Sequence, residues 1–210
     1  MIYMTDGIEV KTRTRTGGLF QKVKVTVLGS ESLFINDFIA SVPSKVGLAA
    51  APLGDIGRLE VRPGHGFVVQ AGGYIASTSG VNLDTEWQGF TKGIFGTRLF
   101  MLKADGVGDL FVNTFGAMDV HTLSPGEMLT VDNYHLVAFT EGCSYTVHKF
   151  GNLKSTLLGG EGLVTEVVGP GEVYIQTKNP REFANWLWPY LPKERVGGGE
   201  HGVQFRVGGR

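Results

Sequence analysis

Three charged residues placed at or near glycine turns are the first candidates for chemistry: Arg58, Asp109 and Glu172. Asp109 follows Gly106-Val107-Gly108 and Glu172 follows Gly169-Pro170-Gly171, so both stand at equivalent turn exits, with Arg58 at the matching place of an earlier, looser version of the pattern. Two acids and one base around a shared pseudo-threefold axis could line the mouth of a small-molecule site. Solvated turn residues would leave the same trace in the sequence. General acid–base work needs both carboxyls in one cleft.

Other reactive types are spaced unfavourably. His65, His121, His135, His148 and His201 fall in no HxH, HxxxH or CxxC arrangement, so no metal site is expected. Cys143 and His148 lie an odd number of residues apart on one extended stretch, which sends them to opposite faces and out of the reach a nucleophile–base pair requires. No G-x-S-x-G elbow is present. The GxG turns join strand to strand, whereas a dinucleotide cradle must open a helix. No catalytic residue, no cofactor and no enzymatic activity are expected from these patterns.

A third chemistry is electrostatic. Lys11, Arg13, Arg15, Lys22 and Lys24 share the outer face of a first hairpin, in which Ile8, Val10, Thr12 and Thr14 point one way and Val23, Val25 and Val27 face in on the return strand. A basic β-face suits nucleic acid. Base stacking also calls for aromatic residues among the charges, and this face has none, so RNA binding stands as the alternative to a solvated edge blunted by basic side chains.

The elements that would position these groups are strands. Apolar residues alternate with polar ones, and the 32 glycines punctuate them as tight turns. Leu99–Gly116 and Leu163–Thr177 each read as two alternating runs about a glycine turn, the pattern of a β-hairpin, and Leu33–Val61 is a longer version ending in GRLEV. MIYMTDG, YIASTSG and LVAFTEG open successive stretches, and Pro63-Gly64 matches Pro125-Gly126 at one common offset. Such self-similarity means one supersecondary unit repeated. The expected fold is all-β: repeated antiparallel modules, about 1–79, 80–141 and 142–178, in pseudo-threefold or sandwich-like packing within a single domain, 1–191. The second and third modules each carry a preceding half, 62–78 and 124–141. The first has only its last scrap, Met1–Gly7, so the pattern starts partway through a unit.

A short helix is expected over 180–191, with Asn179 as N-cap and Pro180 at the first helical position. Phe183, Trp186, Leu187 and Tyr190 would share its apolar face and cover an open end of the sheets. The Gly-rich tail 192–210 contains VQFRV (203–207), a candidate to fill an unpaired edge.

Charge is nearly balanced, 19 basic residues against 20 acidic, so no global attraction to nucleic acid or membrane is indicated. Cys143 is the single cysteine, which favours a reducing compartment. No apolar run approaches the ~20 residues of a spanning helix. The expectation is a soluble, cytoplasmic protein.

RTRTGGLFQKVKVTVLGSESLFINDFIAS, GYIASTSGVNLDTEWQGFTKGIFGTRLF, NYHLVAF and GGEGLVTEVVGPGEVYIQT together resemble the altered-inheritance-of-mitochondria family over about residues 1–180. The resemblance implies a fold like that of the trp RNA-binding attenuation protein, and its mitochondrial members are linked to organisation of the inner membrane. It supplies no catalytic residue. With the repeated β-body, it points to a non-enzymatic scaffold or interaction protein that forms a homo-oligomer, a trimer or higher ring, and takes protein partners by strand addition.

Overall fold

In the computed structural model the described residues are 1–14, 34–50, 53–86, 101–149 and 163–191. The alternating segments become strands, and the strands fall into three sets along the chain. The first holds β1 (Tyr3–Met4), β2 (Ile8–Thr14), β3 (Phe34–Ala40) and β4 (Val46–Gly47). The second holds β5 (Gly54–Val61), β6 (Phe67–Gln70), β7 (Tyr74–Ser77), β8 (Val81–Glu86), β9 (Met101–Gly106) and β10 (Gly108–Phe115). The third holds β11 (Met118–Leu123), β12 (Met128–Asp132), β13 (Leu136–Thr140), β14 (Ser144–Lys149), β15 (Leu163–Val168) and β16 (Gly171–Gln176). The fold is all-β and antiparallel, and among the described residues a short helix, α1 (Pro180–Leu187), follows the last strand.

The second and third sets share one wiring. β10 lies between β5 and β7, as β16 lies between β11 and β13; β9 lies between β6 and β8, as β15 lies between β12 and β14. In the first set β1 pairs with β4 and β2 with β3, which match the β7–β10 and β8–β9 pairs. β6 then joins the second set to the third by pairing with β13, giving a six-stranded sheet in the order β11-β16-β13-β6-β9-β8.

That sheet is apolar on both faces. On one side Phe67 and Val69 of β6 and Val137 of β13 meet Leu59 and Val61 of β5 and Leu110 and Val112 of β10. On the other, Val68, Leu136 and Phe139 meet Val131 of β12 and Val167 of β15. Burial on two faces explains why β6 reads FVVQ and β13 reads LVAFT, near-continuous apolar runs without alternation.

Leu99–Gly116 and Leu163–Thr177 are not hairpins. β9 and β10 follow each other in sequence but belong to different sheets, and so do β15 and β16. The glycine turns are corners that carry the chain from one packed layer into the next. Their form follows from close approach: a Cβ on Gly108 would run into Thr78 Oγ1, and one on Gly171 into Thr140 Oγ1. Both glycines also hold positive φ, 150° and 152°, where a side chain is strained. The GRLEV segment likewise departs from expectation, for it lies in β5 and opens the second set instead of closing the first.

β2 pairs along its length with β3, from Ile8 opposite Ala40 to Thr14 opposite Phe34. The expected return strand, with Lys22 and Lys24, lies outside the described residues, as do Arg15 and the tail segment 203–207.

Asn179 caps α1, its side chain accepting from the Arg181 N–H at 2.9 Å, and Pro180 occupies the first turn. The helix ends at Leu187, and Trp188–Tyr190 tighten into a 3-10 turn through Pro189. Of the expected apolar face, Phe183 packs edge-on against Phe115 at 5.6 Å. Trp186 and Tyr190 meet at a tilt, ring centres 5.5 Å apart, and remain exposed. Among the described residues, no helix is long and apolar enough to cross a membrane.

Candidate functional site

The turn exits that carry Asp109 and Glu172 are built alike. The Asp109 N–H donates to Thr78 Oγ1 at 2.9 Å, and the Glu172 N–H donates to Thr140 Oγ1 at 3.0 Å. The first set repeats the arrangement with a different residue: the Lys45 N–H donates to Thr5 Oγ1 at 2.9 Å. These threonines are the ones in MIYMTDG, YIASTSG and LVAFTEG. Lys45, not Arg58, therefore stands where Asp109 and Glu172 stand. Arg58 is instead the cross-strand neighbour of Asp109: β5 and β10 run side by side, and its guanidinium reaches the Asp109 carboxylate at 2.8 Å. Nothing in composition separates these alternatives, because strand pairing assigned the neighbour.

Each expected acid has an internal partner. Asp109 accepts from Arg58, which raises the already high pKa of the guanidinium. Glu172 accepts from the Tyr174 hydroxyl at 2.7 Å. Burial, and then the neighbouring Glu172 charge, push the Tyr174 phenol far above its ordinary value. The two acids are thus spent on local order, one in an ion pair and one on a phenol that stays protonated.

The two described residues of the basic face are similarly matched. Lys11 pairs with Glu9 at 3.3 Å, and Arg13 with Asp37 of β3 at 2.6 Å. His121 lies 3.3 Å from Asp119 and His148 lies 3.5 Å from Glu166. His135 donates from Nδ1 to the Gln176 carbonyl at 2.8 Å. Cys143 is buried at the corner below Gly171, and burial raises its thiol pKa. A buried thiol held in its protonated form is a poor nucleophile. A polar cluster the sequence did not flag sits where β6, β9 and β13 meet: the Glu141 carboxylate accepts from the Gly66 N–H at 3.0 Å and pairs with Lys103 at 3.3 Å. It ties the second set to the third.

The feature that stands apart is an uncovered apolar surface on the first set. Counting from the turn glycines Gly7, Gly80 and Gly142, the positions of Val10, Leu83 and Tyr145 correspond. Their partners across the ladder are Phe38, Ala104 and Val167. Ala104 and Val167 are fully buried at 0% exposure, whereas Phe38 is 37% and Val10 is 41% exposed. Ile39, Val42 and the whole of Met1–Met4 are exposed as well. Apolar positions in register, buried or half-buried in two sets and exposed in the third, are what an interaction surface looks like before it is filled.

Comparison with known proteins agrees with this reading of a β-body. The family described as Mitochondrial biogenesis AIM24 matches residues 1–178. An uncharacterised protein of Streptococcus pyogenes serotype M6 is 30% identical over 199 residues, covering 91% of this chain and 79% of that protein. A Streptococcus pyogenes protein of known crystal structure is 30% identical with a TM-score of 0.72, covering 91% of this chain and 86% of the other. Matched over residues 1–178, the chain belongs to the Mitochondrial biogenesis AIM24 family.

Proposed function

We propose that this protein is a non-enzymatic interaction protein that self-associates through the edges of its β-sheets. The observation that carries the reading is the exposed Val10–Phe38 pair, set beside its buried counterparts. A second support is the outer edge of β12, which among the described residues has no neighbour like the one β6 finds in β13 and presents an exposed Met128. Unpaired backbone next to apolar side chains is a template for strand addition. Among the described candidates, by contrast, Lys11, Arg13, Arg58, Asp109 and Glu172 are engaged within the chain.

Light scattering across protein concentration tests this. A mass that rises with concentration, and falls back when Met128→Lys charges the β12 edge, is the expected result. A strict monomer at every concentration removes self-association.

A further inference from the structure

The chain contains two Asp-Gly pairs, Asp6-Gly7 and Asp105-Gly106. Such a pair has a chemistry of its own. The amide nitrogen that follows an aspartate can attack the side-chain carboxyl and close a five-membered imide. Glycine favours the attack, because it has no Cβ to shield the nitrogen and its backbone turns freely. The reaction needs an accessible carboxyl and a backbone that can leave its resting conformation.

The fold separates the two pairs. Asp6 is exposed in the turn between β1 and β2, and Gly7 holds a φ of 82°. That turn is held through its carbonyls: Ser44 Oγ donates to the Asp6 carbonyl at 2.9 Å, and the Ser41 N–H donates to the Gly7 carbonyl at 3.0 Å. Asp105 is exposed too, but it lies inside the β8–β9 ladder opposite Asn82, whose Nδ2 donates to the Asp105 carboxylate at 3.2 Å. Gly106 pairs with Val81 in the same ladder. Rearranging Asp105 therefore means opening paired strands, whereas rearranging Asp6 means opening an exposed turn, which costs less. The other two Thr-X-Gly turns carry Ser79 and Glu141 in the place of Asp6. Serine has no carboxyl. Glutamate would have to close a larger ring, and the Glu141 carboxylate is occupied by the Gly66 N–H and Lys103. Of the three turns built alike, the first is the one competent for this reaction.

We propose that Asp6 is a modification site at which the chain converts to isoaspartate. The Gly7 nitrogen bonds to Asp6 Cγ, and its proton leaves with the carboxyl hydroxyl as one water. The imide then takes up one water. Where that water adds at the former main-chain carbonyl, the bond from that carbon to the Gly7 nitrogen breaks, and the chain runs on through Cγ. Nothing is oxidised or reduced, and the composition is unchanged. The backbone is longer by one methylene, and the former Asp6 carbonyl, the acceptor of Ser44, becomes a free carboxylate. β1 lies on β4 through the Ile2 N–H to the Gly47 carbonyl at 2.7 Å and the Thr5 N–H to the Lys45 carbonyl at 3.0 Å. The second of these bonds is next to Asp6, so conversion loosens β1 from β4. The product is a substrate for an isoaspartyl methyltransferase. This inference does not depend on self-association.

The test ages the full chain in neutral buffer, folded and in parallel in urea. Mass spectrometry with electron-transfer fragmentation, which separates isoaspartate from aspartate, reads both pairs. In urea the two are expected to convert at similar rates. In the folded chain Asp6 is expected to convert about tenfold or more faster than Asp105. A protein-isoaspartate methyltransferase with S-adenosylmethionine is expected to label the aged folded chain, and Asp6→Glu is expected to remove most of that label. Hydrogen exchange in Tyr3–Met4 and Val46–Gly47 is expected to quicken in the converted fraction. Equal rates at the two pairs in the folded chain, a faster rate at Asp105, or no isoaspartate at Asp6 overturns the proposal. A gap of the same size in urea also overturns it, because the flanking residues and not the fold would then set the difference. The comparison of the two pairs within the wild-type chain stands whether or not the variant folds.

Discussion

The hydroxyl of Thr140 accepts the backbone N–H of Glu172 at 3.0 Å across the β13–β16 ladder. The same bond joins Thr78 to Asp109 and Thr5 to Lys45. A threonine at the end of one strand thus clasps the start of its partner at the corner where the chain changes sheet.

The clasp has a graded cost of removal. Thr140 is buried, while Thr78 and Thr5 are exposed. Thr140→Val keeps the shape but leaves the half-buried Glu172 N–H without its acceptor, which costs about 1–3 kcal/mol. At Thr5, where water replaces the hydroxyl, the change stays within about 0.5 kcal/mol. Urea denaturation of the two variants is expected to show that order.

The corner glycines differ from ordinary turn glycines. Gly171→Ala combines positive φ with a Cβ driven into Thr140 Oγ1 and Cys143 Sγ, so a loss of about 2 kcal/mol or more is expected. Gly64 also has positive φ, but a Cβ there meets nothing within 4 Å, and Gly64→Ala should cost only about 1 kcal/mol. The gap between the two denaturation midpoints measures the close packing of the corner.

Glu141 gives the junction of the second and third sets a pH dependence. The Gly66 N–H, with Lys103 adding to it, holds the Glu141 carboxyl below its ordinary value of 4.5. A carboxyl whose pKa is lower folded than unfolded binds fewer protons in the folded state. Its stabilisation is therefore complete above about pH 4.5 and is lost as pH falls through the folded value. Glu141→Gln should lower stability at neutral pH and lose that difference progressively below about pH 4.5, read as converging thermal midpoints of variant and wild type.

Equivalent positions in the three sets should respond unequally to truncation. Val167 is fully buried, and Val167→Ala is expected to cost about 2–3 kcal/mol. Phe38 removes a larger side chain, yet from an uncovered face, so Phe38→Ala should change the stability of the isolated chain by no more than about 0.5 kcal/mol. Chemical denaturation at low protein concentration makes the comparison. A large loss at Phe38 would mean that its face is covered after all.

Much of the local structure was legible in the residues. Period-two alternation placed the strands, because successive side chains of an extended chain point to opposite faces. Asn179-Pro180 marked the start of α1 through local hydrogen bonding and a fixed φ. The glycine turns Gly106-Val107-Gly108 and Gly169-Pro170-Gly171 placed Asp109 and Glu172 at corresponding exits. All of these are effects of neighbours in sequence.

What the tertiary structure alone decided is which strand lies beside which. Alternation states the face a residue occupies and is silent on the neighbour across the ladder. Leu99–Gly116 therefore read as a hairpin although β9 and β10 enter different sheets, and Arg58 read as the counterpart of Asp109 although it is its ion-pair partner. The exposure of Phe38 was equally hidden, for its composition matches that of a buried strand. Burial of that face is decided by what packs over it in three dimensions, and Val10 and Phe38 stay exposed where Ala104 and Val167 are buried.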